Sequence, residues 1–494
     1  MATKTPQRLS LRVYPVGFGD CFLLGFHYAG GNDRFVLIDF GSTGLTKQRV
    51  PRSSAFLDYM KKVADDIATR CGRKNGKGGQ LHAVIATHRH ADHINGFATK
   101  GKREAPDASG DVIRSLEPRF VVQPWTEDPD LDPKALAPAE AAKIGGARGF
   151  AALLAGMQSA AAGIVEEAVR LGAKRLTPPG AGEESASGSA QSPGMGKARQ
   201  VAFVGQIRFL GEDNIANRSA VENLIAMGKA KGAKALYLHA DTTANLGLPG
   251  VRTHVLGPPT LKQSEAIRKM RSADNVEFWM LLGATGTKFT AAAGVPFPGR
   301  DCVDGARVPD HARWLRDHVR SARAETLLGI VRTLDKQMNN TSLILVFEVG
   351  GARLLFPGDA QIENWQYALA NPEYRRLLAD TTLYKVGHHG SRNATPKAGL
   401  WDHFAKRSAK DGADRMWSVV STMAGKHGTT EATRVPRKTL VEALEHDTNF
   451  RTTQNFERAE PDWRDFDIDP TTGRVTEVEK PKHRRTAGSV MKPR

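Results

Sequence analysis

Residues 81–93 read LHAVIATHRHADH, from Leu81 to His93. The first seven, LHAVIAT, are almost wholly apolar, as expected of a short strand buried on both faces of a sheet. The character then changes within one residue. His88, His90, Asp92 and His93 fall inside six positions just past the strand end, where a loop held by a rigid scaffold can aim several side chains at one point. Three imidazoles and a carboxylate suit zinc, manganese or iron, because neutral imidazole is a borderline ligand and carboxylate a hard one. A His-rich surface turn without metal is the bland alternative. Asp92 and the abrupt end of the strand weigh against it.

Upstream, LRVYPV (11–16), a Gly17-Phe18-Gly19-Asp20 turn, CFLLGFHY (21–28) and RFVLIDFG (34–41) have the β-branched and aromatic runs, punctuated by glycine, that signal hairpins. Residues 54–70 read as a helix. Downstream, 101–200 reads as an insertion: a charged stretch, a strand near Phe120 to Gln123, an Ala-rich helical region over 135–175, and a Gly/Ser/Pro-rich linker over 178–200. Regular β/α signals resume over 201–256, with ALYLHA (235–240) and THVLGPP (253–259), before a second, mainly helical insertion at about 260–335. Strands follow in TSLILVFEVG (341–350), ARLLFPGDA (352–360), TLYKVG (382–387) and MWSVVST (416–422). The expected organisation is one α/β catalytic domain over 1–456, with these two insertions, and a polar, basic tail over 457–494.

Within 494 residues, 40% are apolar and 25% charged, the balance of a globular chain rather than a disordered or fibrous one. The opening MATKTPQRLS lacks the apolar core of a signal peptide, and no apolar run approaches the roughly 20 residues that span a bilayer, so the expectation is a cytoplasmic protein with no membrane contact. Cys21, Cys71 and Cys302 are odd in number and form no CxxC pair, which argues against a disulfide framework or a thiolate zinc site. A formal net charge of +17, from 70 basic and 53 acidic residues, favours a polyanionic partner such as nucleic acid. Basic proteomes offer a competing explanation of the same number.

Three further segments stand in order around the signature: Leu37-Ile38-Asp39-Phe40-Gly41, Leu355-Phe356-Pro357-Gly358-Asp359-Ala360 and His388-His389-Gly390-Ser391. With HRHADH they resemble the metallo-β-lactamase superfamily, whose HxHxDH signature follows a strand end in an αβ/βα four-layer sandwich. More narrowly, the chain is similar to the hydrolase domain of ComEC-type DNA-uptake proteins. The shared motifs are VGFGD (16–20), LIDFG (37–41), HRHADH (88–93), NNTSLIL (339–345), LFPGDA (355–360) and VGHHGS (386–391). The similarity covers most of the core but neither insertion nor the tail.

That resemblance implies two divalent ions, zinc or manganese. His88, His90 and Asp359 would hold the first, and Asp92, His93, Asp359 and His389 the second, with Asp39 supporting the loop rather than binding metal. Either histidine of the doublet can face the metal; the one directly before glycine, His389, is the expected ligand, leaving His388 to contact substrate or donate a proton. Asp92 is expected to orient the nucleophile as well. His427 can reach the site from a later loop, although a lone loop histidine is more often solvated. Members with complete two-metal sites carry another histidine before the bridging aspartate, and Val255-Leu256-Gly257-Pro258-Pro259 stands there instead. His254, two residues into a strand, reads as a core or edge histidine. One ion is therefore expected to be held less completely, relying on water or substrate oxygen. Asn340 and Ser342 either cap a turn or hold a phosphate, and Asp20 braces the glycine turn.

The implied activity is a phosphodiesterase or nuclease using metal-bound hydroxide on nucleic acid. Hydrolysis of a small ester, lactone or β-lactam is the alternative on the same scaffold, since substrate choice resides in loops grafted on it. A binding protein that kept the fold and lost its chemistry is a third reading. A partner protein is a further expectation, supplying the context of a DNA-processing system.

Overall fold

Apolar side chains alternate along the strands and point into three buried clusters. In the computed structural model, residues 5–44, 53–74, 78–99, 108–130, 217–264, 338–426, 434–456 and 463–478 are described. β1 (Arg8–Val13), β2 (Cys21–His27) and β3 (Arg34–Phe40) form an antiparallel meander. β4 (Ala83–Ile85), β5 (Phe120–Pro124) and β6 (Lys234–Leu238) extend it in parallel from β3. On the other edge, β14 (Arg464–Ile468) pairs with β1 and β15 (Val475–Glu477) with β14.

A second sheet has the order β13-β12-β11-β10-β9-β8-β7. Its members are β7 (Thr242–Thr243), β8 (Arg252–Gly257), β9 (Ile344–Val349), β10 (Ala352–Phe356), β11 (Leu383–Lys385), β12 (Trp417–Val420) and β13 (Asn449–Thr452). β10 to β13 run parallel to one another, and β7 to β10 are antiparallel.

Among the described residues the α-helices are α1 (Ser53–Arg70), α2 (Ala91–Ile94), α3 (Ser109–Arg114), α4 (Arg218–Gly228), α5 (Ile362–Ala370), α6 (Pro372–Ala379) and α7 (Lys438–Asp447). The architecture is mixed α/β. Because side chains on a strand alternate in direction, Phe22, Leu24, Val36 and Ile38 of the first sheet join Leu345, Phe347, Leu354 and Phe356 of the second in one buried cluster. Leu23, Leu37 and Val84 instead pack with Val63 and Ile67 of α1 and Leu224 of α4. Ile344, Val346 and Leu355 pack with Trp365 of α5, Leu378 of α6 and Leu444 of α7.

Two boundaries expected from the sequence move. β5 lies between β4 and β6 inside the first sheet, so residues 108–130 belong to the scaffold and not to an insertion at 101–200. Residues 463–478, expected in the polar tail, form β14 and β15. The reason is alternation: in Arg464-Asp465-Phe466-Asp467-Ile468 the charges disguise a strand whose Phe466 and Ile468 are fully buried. Asp465 and Asp467 pair with Arg12 and Arg8 of β1. The Ala-rich region over 135–175, the linker over 178–200, most of the second insertion, Cys302, His427 and the basic end of the chain lie outside the described residues. Among the described residues no helix is long and apolar enough to cross a membrane.

Candidate metal centre

The signature, Asp39, Asp359 and the histidine doublet all fall at or just beyond the carboxyl ends of strands β3, β4, β10 and β11. Strand carboxyl ends are where open α/β sheets bind ligands. β4 stops at Ile85, and the chain turns into α2 with His90 at its N-cap and Asp92 and His93 within it. That short helix lies directly on the β1–β2 turn and the end of β3. Asp20 N donates to Asp92 O at 2.9 Å, and Gly41 N to Asp20 O at 3.0 Å. A side chain on Gly41 would meet His93 N at 2.4 Å, and one on Gly19 would meet Gly41 O at 2.2 Å, so both positions need glycine for this approach.

Asp39 sits in the left-handed region at φ 53°. Its Oδ1 accepts from Thr87 N at 2.7 Å, and its Oδ2 accepts from Thr87 Oγ1 at 2.8 Å and faces His93 Nδ1 at 2.8 Å. The opposite nitrogen, His93 Nε2, is thereby aimed at Asp359 Oδ1, 3.1 Å away. His389 is arranged the same way: Nδ1 donates to Ser421 O at 2.9 Å, and Nε2 lies 2.9 Å from Asp92 Oδ2 and 3.5 Å from Asp359 Oδ2. His388 and His389 also adopt left-handed backbone, at φ 44° and 52°. Such strained non-glycine residues persist where the surrounding structure over-determines them, often at functional sites.

Ligand atoms of Asp92, His93, Asp359 and His389 lie within 4.8 Å of one another, and all four residues are buried. Two oxygens and two imidazole nitrogens are a donor set that zinc and manganese accept. His93 Nε2 and Asp359 Oδ1 are buried and face each other at 3.1 Å, and neither has a well-aligned hydrogen-bond partner among the described residues. Buried polar atoms are ordinarily satisfied, so the residues fit a cation between them.

Carboxylates and imidazoles in the cluster stabilise one another's charge. Burial works against the Asp92 and Asp359 carboxylates, yet His93 and His389 hold both below the usual carboxylate range. Burial likewise opposes the charged imidazoles of His93 and His389, and the surrounding carboxylates, Asp359 first, raise both. His88 is lowered by burial and by His93 and His90; His388 is lowered chiefly by burial.

The second expected ligand set is less complete. His88 Nε2 and His90 Nδ1 face each other at 3.0 Å. Among the described residues, however, no third ligand atom groups with them as tightly as the four above. His254, in the neighbourhood where another histidine would stand, lies on β8 with Nε2 2.6 Å from Glu348 Oε2. The doublet resolves geometrically: His389 is wholly buried inside the group, while His388 has a side chain 23% exposed and Nε2 3.7 Å from Asp359 Oδ2. Ser342 Oγ accepts from Asp359 N at 3.2 Å, and Asn340 Nδ2 donates to Glu363 at 3.0 Å, so both brace turns here.

Sequence reasoning missed two buried ion pairs. Lys385, the last residue of β11, pairs with Asp20 deep in the cluster. Its signal was available: one charge inside the apolar run TLYKVG, three residues before the doublet. Arg89, inside the signature, pairs with Glu127, in the turn after β5. No spacing rule links those two.

Compared with known protein families the chain matches none, and no curated protein matches it either.

Proposed function

We propose that the chain is a metal-dependent hydrolase of the metallo-β-lactamase type, an αβ/βα four-layer sandwich that cleaves phosphodiester bonds in nucleic acid. One observation carries this reading: Asp92, His93, Asp359 and His389, from three separate segments of chain, converge as a buried group of metal-ligand atoms. Three buried clusters support the layered architecture, one shared by the two sheets and one between each sheet and its own helices.

Asp92, His93, Asp359 and His389 would hold the tighter divalent ion, and His88 with His90 a weaker second one. Such an ion supplies Lewis-acid polarisation of a phosphoryl oxygen and a water acidic enough to ionise near neutral pH. The chain supplies orientation. Asp39 and the Ser421 carbonyl each engage one nitrogen of an imidazole and so present the other, a supporting role that commonly fixes the tautomer of a metal-binding histidine. His388, its Nδ1 lacking a hydrogen bond and its ring partly exposed, can take up or hand on a proton at the rim.

Charge around the mouth favours an anionic substrate. Residues 42–44, 388–397, 421–426 and 434–437 carry Arg392, Lys397, Lys426, Arg434 and Arg437 and no carboxylate. These loops are joined to one another through Lys426 Nζ to Thr43 O at 2.9 Å and Arg437 N to Gly390 O at 2.9 Å. Fixed cations there would balance charge developing on a phosphoryl group.

The decisive assay incubates purified protein with short single-stranded DNA and Mn²⁺ or Zn²⁺. Cleavage is expected, with a loss of about 100-fold or more in His90→Ala and Asp359→Asn. Turnover confined to small esters or lactones would sink the phosphodiesterase reading.

A further inference from the structure

The carboxylate cluster already contains a cation of its own. Lys385 is 2% exposed and Asp20, its ion-pair partner, is fully buried. Its Nζ donates to Gly358 O at 3.2 Å and lies 3.8 Å from Asp359 Oδ1. Asp20 also belongs, with Asp39 and His93, to a second group of ligand atoms within 4.8 Å of one another. By distance alone that group resembles another metal site. Its only nitrogen, His93 Nδ1, is however engaged by Asp39 at 2.8 Å and stands 3.6 Å from Asp20. His389 Nδ1, also 3.6 Å from Asp20, donates to Ser421 O instead.

We infer that Lys385 is a resident monovalent cation: it holds Asp20 as its counterion, closes the Asp20 side of the cluster to metal, and competes with a divalent ion for Asp359. This rests on the metal reading proposed above. Asp20, Asp39, Asp92 and Asp359 are all buried, and buried carboxylates without a cation are strongly unfavourable. Lys385 relieves that repulsion when no divalent ion is bound. Once an ion is bound, the ammonium beside Asp359 repels it. A group that stabilises the metal-free state more than the loaded state lowers metal affinity by linkage.

The consequence is opposite in sign to that of an ordinary supporting residue. Lys385→Met keeps the length of the side chain and removes its charge. Its metal-free form is expected to melt well below wild type, and its Mn²⁺- or Zn²⁺-loaded form much closer to it. Calorimetric titration with either ion should show affinity about tenfold or more tighter than wild type. Lys385→Arg, which keeps the charge, should bind metal as wild type does. Lys385→Met combined with Asp20→Asn removes both charges and should return melting temperature and affinity toward wild type. Lys385→Met protein that folds only when expressed with metal also supports the inference.

Equal destabilisation of metal-free and loaded forms, or weaker metal binding by Lys385→Met, overturns the role assigned to Lys385 and leaves the metal site intact. Failure of the double variant to recover does the same. Wild-type protein that binds neither ion overturns the metal reading itself.

Discussion

His93 Nδ1 lies 2.8 Å from Asp39 Oδ2, and this contact turns the opposite ring nitrogen toward Asp359. Asp39 is thus one step removed from the group that would hold an ion, and its second oxygen holds the backbone of Thr87. Replacing such a supporting carboxylate typically costs 10- to 100-fold in metal affinity. Asp39→Asn should therefore weaken Zn²⁺ or Mn²⁺ binding by about that factor in calorimetric titration. Affinity equal to wild type would show that His93 needs no such support.

The Arg89–Glu127 pair is almost completely enclosed, with side chains 9% and 2% exposed. Removing one partner of a buried pair leaves an uncompensated charge and costs about 3–5 kcal/mol. Arg89→Ala should lower the urea-unfolding free energy by about that amount. Arg89→Leu with Glu127→Leu should recover most of it, because the two charges leave together. If Arg89→Ala and wild type unfold at the same urea concentration, the pair does not hold the signature loop.

His82, at the start of the signature strand segment, has its pKa lowered, chiefly by burial. As pH falls below the ordinary histidine range, the unfolded chain takes up this proton before the folded one does. The stability it contributes is complete above the unfolded pKa and is lost as pH falls toward the folded one. Wild type should lose more stability between pH 7.5 and 5.5 than His82→Gln, comparing urea midpoints; the other histidines cancel in the difference. A larger loss in the variant would reverse the sign and refute the assignment.

Both described cysteines are buried thiols. Burial pushes Cys71 up to about 12 and raises Cys21 well above the ordinary thiol range. Thiolates are the reactive form, so native protein at pH 8 should leave both unalkylated by iodoacetamide for hours. Peptide mass mapping reads this directly, with full labelling in urea as the control. Rapid labelling of either would mean that the strand or helix end covering it opens.

Strand runs such as RFVLIDF and SLILVFEV were legible because burial on a sheet face imposes apolar alternation or continuity over short distances. The residue types of the candidate metal centre were legible for a similar reason: HRHADH gathers three imidazoles and a carboxylate into one local stretch, and Asp359 and the doublet follow recognisable strands. β14 and β15 were less legible. Their charged residues alternate with Phe466 and Ile468 and lower the average hydropathy of the segment, although the buried face is apolar. The insertion boundary was misjudged because β5 is short and follows a charged stretch, and nothing local says that it completes a sheet.

The residue types available for metal chemistry, and the runs that must be strands, are thus readable from the chain alone. Period and composition are local properties that need no knowledge of the fold. Which donors meet is set by how distant segments pack together. That packing places His389 inside the group and His388 at its rim, leaves His88 and His90 beside it, and brings Lys385 onto Asp20 across 365 positions of chain. Those outcomes depend on how the ends of four strands are brought together, and electrostatic pairing acts on distance in space, which residue spacing does not encode.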